Sequence, residues 1–238
     1  MTNLLYMKNI ESNYLKEFYA IVTKKEDDYI CLDNTAFYPE GGGQPSDTGI
    51  IKWNNHQIRI TNVIKKGNAV KHMISDKKPS EGTKIHGILD WDKRYKHMKM
   101  HTAQHIISGI IYDKYNAKTV GNQITSEYSR VDFYPLTLSN GDIAEIEDTM
   151  NKLIQKNLPI KIYDESRGII EKQINQQRCN LDLLPKFIDK LRIVEIEGFD
   201  ICPCAGTHVK NTSELSPIKI YKKESQGKDK ERMYYKFV

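Results

Sequence analysis

Two histidines, His101 and His105, lie four residues apart in the segment HTAQH. On an α-helix this spacing places both imidazoles on one face, where they can bind a single metal ion. The same spacing also arises by chance, and such histidines are often pH-sensitive surface groups or ordinary core residues. The pair therefore predicts a metal site only if further ligands lie elsewhere in the chain.

A second pair of candidate ligands, Cys204 and His208, lies in the segment CAGTH. Ala205 and Gly206 let the backbone turn tightly, so the thiolate and the imidazole can converge. Three imidazoles and one thiolate suit Zn²⁺ in tetrahedral coordination. Cys202 is a competing ligand, but Cys204 has the better spacing to His208. A buried histidine pair with an unrelated buried cysteine remains the alternative.

Three successive glycines, Gly41, Gly42 and Gly43, precede Gln44 in the segment FYPEGGGQPSDTG. Successive glycines cost conformational entropy on folding, so they indicate a close approach of the backbone to a ligand or a neighbouring loop. Gln44 offers both a hydrogen-bond donor and an acceptor. The segment lacks the Lys-Ser/Thr ending of a P-loop, so no nucleotide cofactor is expected. A tight turn between two strands explains the glycines equally well.

The composition is typical of a soluble globular protein, since 39% of the 238 residues are hydrophobic and 28% are charged. No stretch approaches about 18 uncharged apolar residues, so we expect no membrane span. The N-terminus lacks the basic start and apolar run of a signal peptide, which makes a cytoplasmic location the default expectation. Four cysteines in such a chain argue against a disulfide framework and leave metal binding or catalysis open.

The net charge of +5 is concentrated in two segments. The segment before the histidine pair contains Lys93, Arg94, Lys96, His97 and Lys99. The segment near the C-terminus contains Lys219, Lys222, Lys223, Lys228, Lys230, Arg232 and Lys236. Such patches suit the phosphate backbone of a nucleic acid, and a solvated, lysine-rich surface explains them equally well.

A long helix must position the histidine pair, and the pattern of residues 92–116 predicts one. At about 100° per residue an apolar stripe forms on this helix. The stripe consists of Ala103, Ile106, Ile107, Ile110 and Ile111. The two histidines fall on the opposite side with Ser108 and Tyr112. We therefore expect the histidines to face solvent or a cleft roofed by another element.

The remaining segments predict an α+β fold. Residues 16–91 contain five or six short strands separated by turn-rich pieces, which suggests a small barrel or sandwich. Further along, a helix over residues 140–157, capped by Asn140 or Asp142, alternates irregularly with strands, and FDICPCAGTH is predicted to be a loop. This pattern indicates helices on one face of a mostly antiparallel sheet, with a domain boundary between residues 80 and 92.

The segments FYPEGGGQPSDTG, MKMHTAQHIISGII, VDF and EGFDICPCAGTHV resemble the editing region of alanyl-tRNA synthetase in their order and spacing. The chain as a whole is similar to the freestanding AlaX proteins of medium length, over residues 18–238. The resemblance implies a small N-terminal β-barrel-like domain with the glycine-rich motif, residues 1–90. It also implies a zinc-binding α+β tRNA-editing domain like the second additional domain of the synthetases, residues 91–238.

The resemblance further implies trans-editing, which is hydrolysis of the ester that joins a wrong amino acid to tRNA(Ala). The expected substrate is Ser-tRNA(Ala), with Gly-tRNA(Ala) as a second one. Zn²⁺ would be held by His101, His105, Cys204 and His208. The catalytic candidates are Gln44, at the mouth of the pocket, Gln104 and Cys204. The substrate-binding candidates are Gly41, Gly42, Gly43, Gln44, Lys93 and Arg94.

The chain departs from the family pattern at two positions. Gln104 stands where many relatives have a threonine, and CAGTH stands where many have CGGTH. Two other functions remain open on the residues alone. One is a zinc-dependent hydrolase of a small ester or amide. The other is a nucleic-acid-binding module with a structural zinc, which a set of four protein ligands favours.

Overall fold

The structure of the chain is a computed structural model that describes residues 1–75, 77–174, 176–179, 181 and 184–238. The helices are α1 (Trp91–Tyr115), α2 (Asn140–Gln155), α3 (Arg167–Gln173) and α4 (Gln176–Cys179). The first nine strands are β1 (Asn3–Leu4), β2 (Glu17–Lys25), β3 (Tyr29–Leu32), β4 (Asn34–Thr35), β5 (Gly49–Trp53), β6 (His56–Ile60), β7 (Asn62–Lys66), β8 (Ala69–Met73) and β9 (Lys84–Leu89). The others are β10 (Lys118–Gln123), β11 (Ser129–Tyr134), β12 (Ile160–Ser166), β13 (Lys190–Ile196), β14 (Asp200–Pro203), β15 (Ile218–Ser225) and β16 (Glu231–Phe237).

The N-terminal region forms one antiparallel sheet with the strand order β6-β5-β9-β2-β3-β8-β7. Buried residues alternate with exposed ones along β2, so one face of the sheet covers the core. The sheet has more strands than the five or six predicted, because QIRITNVI forms both β6 and β7, with Thr61 between them. No ladder joins β6 to β7 within the described part of the chain, so the predicted barrel-like closure is not confirmed.

The C-terminal region contains a four-stranded sheet, β10-β11-β16-β15, and a three-stranded sheet, β12-β13-β14. All pairs in both sheets are antiparallel. This confirms an α+β protein with mostly antiparallel sheets. The segment FDICPCAGTH was expected to be a loop, but its first half is β14, because Cys202 pairs with Val194 of β13.

Helix α1 begins after Asp90, whose side chain accepts a hydrogen bond from the Lys93 backbone, and ends at Asn116 in the left-handed conformation (φ 52°). Its apolar stripe packs against the four-stranded sheet, and the Tyr235 hydroxyl donates to the Met100 carbonyl at 2.9 Å. The opposite side is also buried, so the histidines face an interior cleft. None of the described helices has the length and apolar character that a bilayer span requires.

Helix α2 packs on α1 and on β15 through the same core. Its N-cap is Ser139, one residue before the predicted Asn140. The Ser139 hydroxyl accepts from the Asp142 backbone, and the Asp142 carboxylate accepts from the Ser139 backbone, which completes a capping box. Asp142 therefore contributes from the third helical position and is not the cap itself.

Two large apolar clusters lie in the described residues, one under the N-terminal sheet and one around α1 and α2. Ile10 belongs to the second cluster although it lies near the N-terminus. The division into domains at residues 1–90 and 91–238 stays a prediction, with the first residues of the chain packed across it.

Candidate active site

The four predicted ligands converge in the structure. His101 and His105 project from α1, and Cys204 and His208 lie in the segment that follows β14. One ligand atom from each residue lies within 4.8 Å of the other three. The Cys204 Sγ atom is 3.7 Å from His101 Nε2 and 3.5 Å from His208 Nε2. Cys202 is not part of this group.

The His101 ring is held by Gln44. His101 Nδ1 donates to Gln44 Oε1 at 2.9 Å, and the same oxygen accepts from the Thr207 backbone at 3.1 Å. Gln44 Nε2 donates to the Thr207 hydroxyl at 2.9 Å. Gln44 is only 1% exposed and does not line the cavity described below, so the predicted position at the pocket mouth is wrong. Its amide lies behind His101 and positions that ring.

The other two imidazoles are held in the same way. His105 Nδ1 contacts Asp200 Oδ2 at 3.3 Å, and His208 Nδ1 contacts the Thr102 hydroxyl at 3.2 Å. Asp200 Oδ1 in turn accepts from Arg178 Nε at 2.9 Å. Each ring thus uses Nδ1 for an outer contact and leaves Nε2 for an ion, which is the arrangement of histidines in zinc sites. The donor atoms and their supports therefore fit Zn²⁺.

These supporting residues were not predicted. Two of them lay in segments already singled out for their ligands, Thr102 inside HTAQH and Asp200 inside FDICPCAGTH. Asn13 carried no such signal, yet its Oδ1 accepts from the His208 backbone at 2.8 Å.

The CAGTH turn requires a glycine at one of its two small positions. A Cβ on Gly206 would lie 2.1 Å from His101 Cε1, so only glycine fits against the ring. Ala205 is exposed, and its methyl group causes no such conflict. The Cys204 backbone donates to the Arg192 carbonyl at 3.0 Å, and the Arg192 guanidinium donates to the Cys204 carbonyl. Strand β13 thus holds the turn in place.

The charges of the cluster favour a thiolate. Burial raises the pKa of the Cys204 thiol, but the charge of His101 and the hydrogen bonds of the three imidazoles lower it well below its ordinary range. Burial opposes a charge on His105, but hydrogen bonds to Asp200 and Cys204 raise its pKa to about 10. Burial and the neighbouring His101 lower the pKa of His208 well below its usual value. A thiolate is the form of cysteine that binds zinc.

A cavity of about 550 Å³ lies above the cluster. Its lining includes His101, His105, Cys204, Cys202, Gln104, Ser108, Asn122, Tyr38, Lys65, Gly41 and Gly42. Gln104 Nε2 donates to the Ser108 hydroxyl at 2.7 Å, and Asn122 Nδ2 donates to Gln104 Oε1 at 3.3 Å. One wall of the cavity is therefore a polar network centred on Gln104.

The three glycines divide between two tasks. Gly41 and Gly42 line the cavity, and Gly42 has a positive φ of 57°. Gly43 instead packs on β10, where a Cβ would lie 1.8 Å from Asn122 Oδ1, and its carbonyl accepts from the Ile124 backbone at 2.8 Å. Gly43 is not among the residues that line the cavity, and its contact with substrate stays a prediction.

Arg94 was predicted to bind substrate, and the structure contradicts this. Its side chain is fully buried in an ion pair with Asp47, and it also donates to the carbonyls of Asn13 and Ala36. Lys93 is half-buried at the start of α1 and lies outside the cavity lining, so its contact with substrate stays a prediction.

Two family models match the chain. Residues 4–93 match "tRNA synthetases class II (A)", and residues 191–234, which include CAGTH, match "Threonyl and Alanyl tRNA synthetase second additional domain". Over 231 aligned residues the chain is 33% identical to an alanine–tRNA ligase of Thermococcus kodakarensis. That alignment covers 94% of this chain and 25% of the ligase. The similarity is therefore confined to a part of the ligase.

Freestanding relatives match from end to end. The chain is 40% identical over 244 residues to the alanyl-tRNA editing protein AlaX-M of Methanosarcina acetivorans, with 99% of this chain and 98% of that protein covered. It is 36% identical over 242 residues to the AlaX-M of Saccharolobus solfataricus, with 99% and 98% covered. Because these alignments include both histidine segments and the glycine-rich motif, the chain belongs to the AlaX-M family of alanyl-tRNA editing proteins.

Proposed function

We propose that the chain is an aminoacyl-tRNA deacylase that removes wrongly attached amino acids from tRNA(Ala). The observation that supports this is the cluster of His101, His105, Cys204 and His208 at the floor of a cavity large enough for an aminoacyl ester. The names of its full-length relatives support the same activity. The main substrate is Ser-tRNA(Ala), and Gly-tRNA(Ala) is the second.

Zn²⁺ is the metal that the donor set favours, and His101, His105, Cys204 and His208 would hold it. When bound, zinc would supply Lewis acidity toward an ester carbonyl or a water molecule. Gln44, Asp200 and Thr102 would keep the three imidazoles in position through their Nδ1 contacts. These outer contacts are part of the site because they set which ring nitrogen is available.

The polar wall of the cavity would recognise the amino acid. Serine differs from alanine by one hydroxyl group, which a pocket built for a methyl group rejects weakly. Gln104 can donate and accept beside that hydroxyl, with its amide oriented by Ser108 and Asn122. Gly41 and Gly42 would let the backbone approach the ribose of the terminal nucleotide. Discrimination between serine and alanine thus rests on hydrogen bonds that alanine cannot make.

The experiment is to incubate the protein with Ser-tRNA(Ala), Gly-tRNA(Ala) and Ala-tRNA(Ala) and to measure the release of each amino acid. We expect fast release of serine, slower release of glycine and sparing of Ala-tRNA(Ala). The variant Cys204→Ala should release none of them. Equal hydrolysis of Ala-tRNA(Ala) would contradict an editing role.

Two controls separate the alternatives. Simple seryl esters without RNA should be poor substrates; a small-molecule hydrolase would instead turn them over faster than the tRNA. A nucleic-acid-binding module with a structural zinc would unfold without metal and deacylate no substrate.

A further inference from the structure

One face of the four-stranded sheet is covered by α1 and α2, and the opposite face carries a group of aromatic side chains. Tyr128, Tyr221 and Tyr234 meet there with ring centroids 6.1 to 6.4 Å apart. Tyr128 and Tyr221 are 44% and 43% exposed. We call these three residues the tyrosine platform. Isolated exposed tyrosines are ordinary, but three in mutual contact form a surface that fits a ligand.

The backbone around the platform orients the rings. Tyr221 is the extra residue of a β-bulge, because Ile220 pairs with Tyr235 and Lys222 pairs with Tyr234. Tyr128 ends a turn in which its backbone N–H donates to the Thr125 hydroxyl at 3.2 Å. The Tyr234 hydroxyl donates to Glu224 at 2.8 Å. The platform is therefore arranged before any partner binds.

Two lysines lie against the rings, and one of them, Lys222, also pairs with Glu224. Lys222 Nζ lies 5.1 Å from the Tyr234 ring centroid, and Lys236 Nζ lies 5.5 Å from that of Tyr221. Residues 217–238 contain seven lysines and arginines against three acidic residues. Exposed aromatic rings beside lysines are typical of surfaces that bind unpaired RNA. The bases stack on the rings, and the phosphates contact the ammonium groups. This excess of positive charge favours binding of RNA, which carries a negative charge at each phosphate, over binding of a protein that has no acidic surface.

The platform is connected to the cavity through β10. Gly121 of β10 lines the cavity, whereas Gln123 of the same strand accepts a hydrogen bond from Arg130 at 3.1 Å. Arg130 pairs with Tyr234 across β11 and β16. Neighbouring strands lie about 4.8 Å apart, so the platform is on the order of 10 to 15 Å from the strand that borders the cavity. An RNA chain that leaves the cavity over the β10 edge would reach the tyrosines.

We propose that the tyrosine platform binds the RNA part of the substrate, with Tyr128 and Tyr221 stacking on exposed bases near the acceptor end and Lys222 and Lys236 contacting phosphates. This rests on the proposed function, because it takes the ester in the cavity to be attached to a tRNA. It adds a second contact region on the opposite side of the sheet from the histidine cluster.

The test is the affinity of the zinc-loaded protein for uncharged tRNA(Ala), measured by fluorescence anisotropy. We expect Tyr128→Leu and Tyr221→Leu each to weaken binding by about 5- to 150-fold, since one base–aromatic stack contributes about 1 to 3 kcal/mol. Tyr19→Leu is the matched control, because Tyr19 is an exposed tyrosine on β2 of the N-terminal sheet. It should change the affinity by less than about twofold.

Removal of a lysine gives a second measurement. Lys236→Gln should reduce the slope of log Kd against log salt by about one, which is the contribution of one phosphate contact. The 3′-O-seryl ester of adenosine, which lacks the rest of the RNA, should be hydrolysed equally by the wild type and both tyrosine variants. This separates a loss of RNA binding from damage to the cavity.

Wild-type tRNA affinity in the variant that combines Tyr128→Leu and Tyr221→Leu would overturn the proposal. So would a wild-type protein that binds no RNA, or a loss of affinity in Tyr19→Leu as large as in the platform variants. If RNA affinity is unchanged and sedimentation shows a new oligomeric state, the platform is a protein contact and the proposal fails. Tyrosine-dependent binding without hydrolysis of any ester would uphold the platform and reject the deacylase function.

Discussion

Gln104 is the residue on which we expect the choice of amino acid to depend. The change Gln104→Met keeps the length of the side chain and removes both of its hydrogen-bonding atoms. We expect kcat/KM for Ser-tRNA(Ala) to fall about tenfold, which is the contribution of one hydrogen bond, and kcat/KM for Gly-tRNA(Ala) to change little. Equal losses for the two substrates would show that Gln104 does not recognise the hydroxyl group.

Asp200 should control metal affinity through His105. Asp200→Asn removes the carboxylate that holds His105 Nδ1, so we expect the zinc dissociation constant to rise about 10- to 100-fold in a chelator competition. Asp113 offers a matched control, because it also pairs with Arg178 but lies on the exposed side of that guanidinium. Asp113→Asn should leave zinc affinity unchanged. If both changes weakened zinc binding equally, the loss of zinc affinity would come from Arg178, which pairs with both carboxylates.

The ligands themselves could be predicted because each pair is local. Four residues along a helix or a tight turn fix the geometry of His101 with His105 and of Cys204 with His208, whatever the rest of the fold. The role of Gln44 could not be predicted, since it depends on contacts with residues more than fifty positions away. The burial of Arg94 was missed for the same reason, because its partner Asp47 lies on a distant segment.

The Arg94–Asp47 pair joins α1 to the segment after the glycines. Arg94→Met would leave the buried Asp47 carboxylate without its cation, so we expect the free energy of unfolding to fall by about 3 to 5 kcal/mol in urea titrations. Lys96→Met, on an exposed position of the same helix, should change it by less than about 0.5 kcal/mol. A loss below about 1 kcal/mol for Arg94→Met would mean that this pair does not hold the helix in place.

Helices were easier to predict than strands. The residues 92–116 predicted for α1 agree with Trp91–Tyr115, because the pattern is long and Asp90 and Asn116 cap it. The break at Thr61 was missed, since QIRITNVI is apolar enough to read as one continuous strand. The pairing of β14 with β13 was missed because it depends on a partner that local residues do not specify.

The buried His72 should make the stability of the whole protein depend on pH. Burial lowers its pKa to about 4, while in the unfolded chain it titrates near its ordinary value of 6.5. Between these pH values only the unfolded chain binds the proton. The free energy of unfolding should therefore fall as the pH falls from 6.5 to 4, by about 1.4 kcal/mol per pH unit from this residue.

The variant His72→Gln checks this contribution. Its amide can replace the contacts with the Thr35 hydroxyl and the Ile30 carbonyl, but it does not titrate. We expect urea titrations of the variant to give a shallower decline between pH 6.5 and 4 than those of the wild type. Identical slopes would show that His72 is not the group responsible.

The assembly of the molecule was the least predictable level. Asn13, in a 3₁₀ helix near the N-terminus, accepts from the His208 backbone and receives the Arg94 guanidinium on its carbonyl. The first residues of the chain thus support the CAGTH turn from a distance of almost two hundred positions. No local pattern reports such a contact, so a division of the chain at residue 90 understates how the site is held.

Hydrolysis should depend on an ion held by the cluster of His101, His105, Cys204 and His208. The most direct measurement is a titration of the chelator-treated protein with Zn²⁺, in which bound metal and the rate of serine release from Ser-tRNA(Ala) are followed together. We predict that the rate rises in proportion to bound zinc, reaches its maximum at one ion per chain, and stays at background in Cys204→Ala. A metal-free protein that releases serine at the full rate would show that hydrolysis does not need the metal.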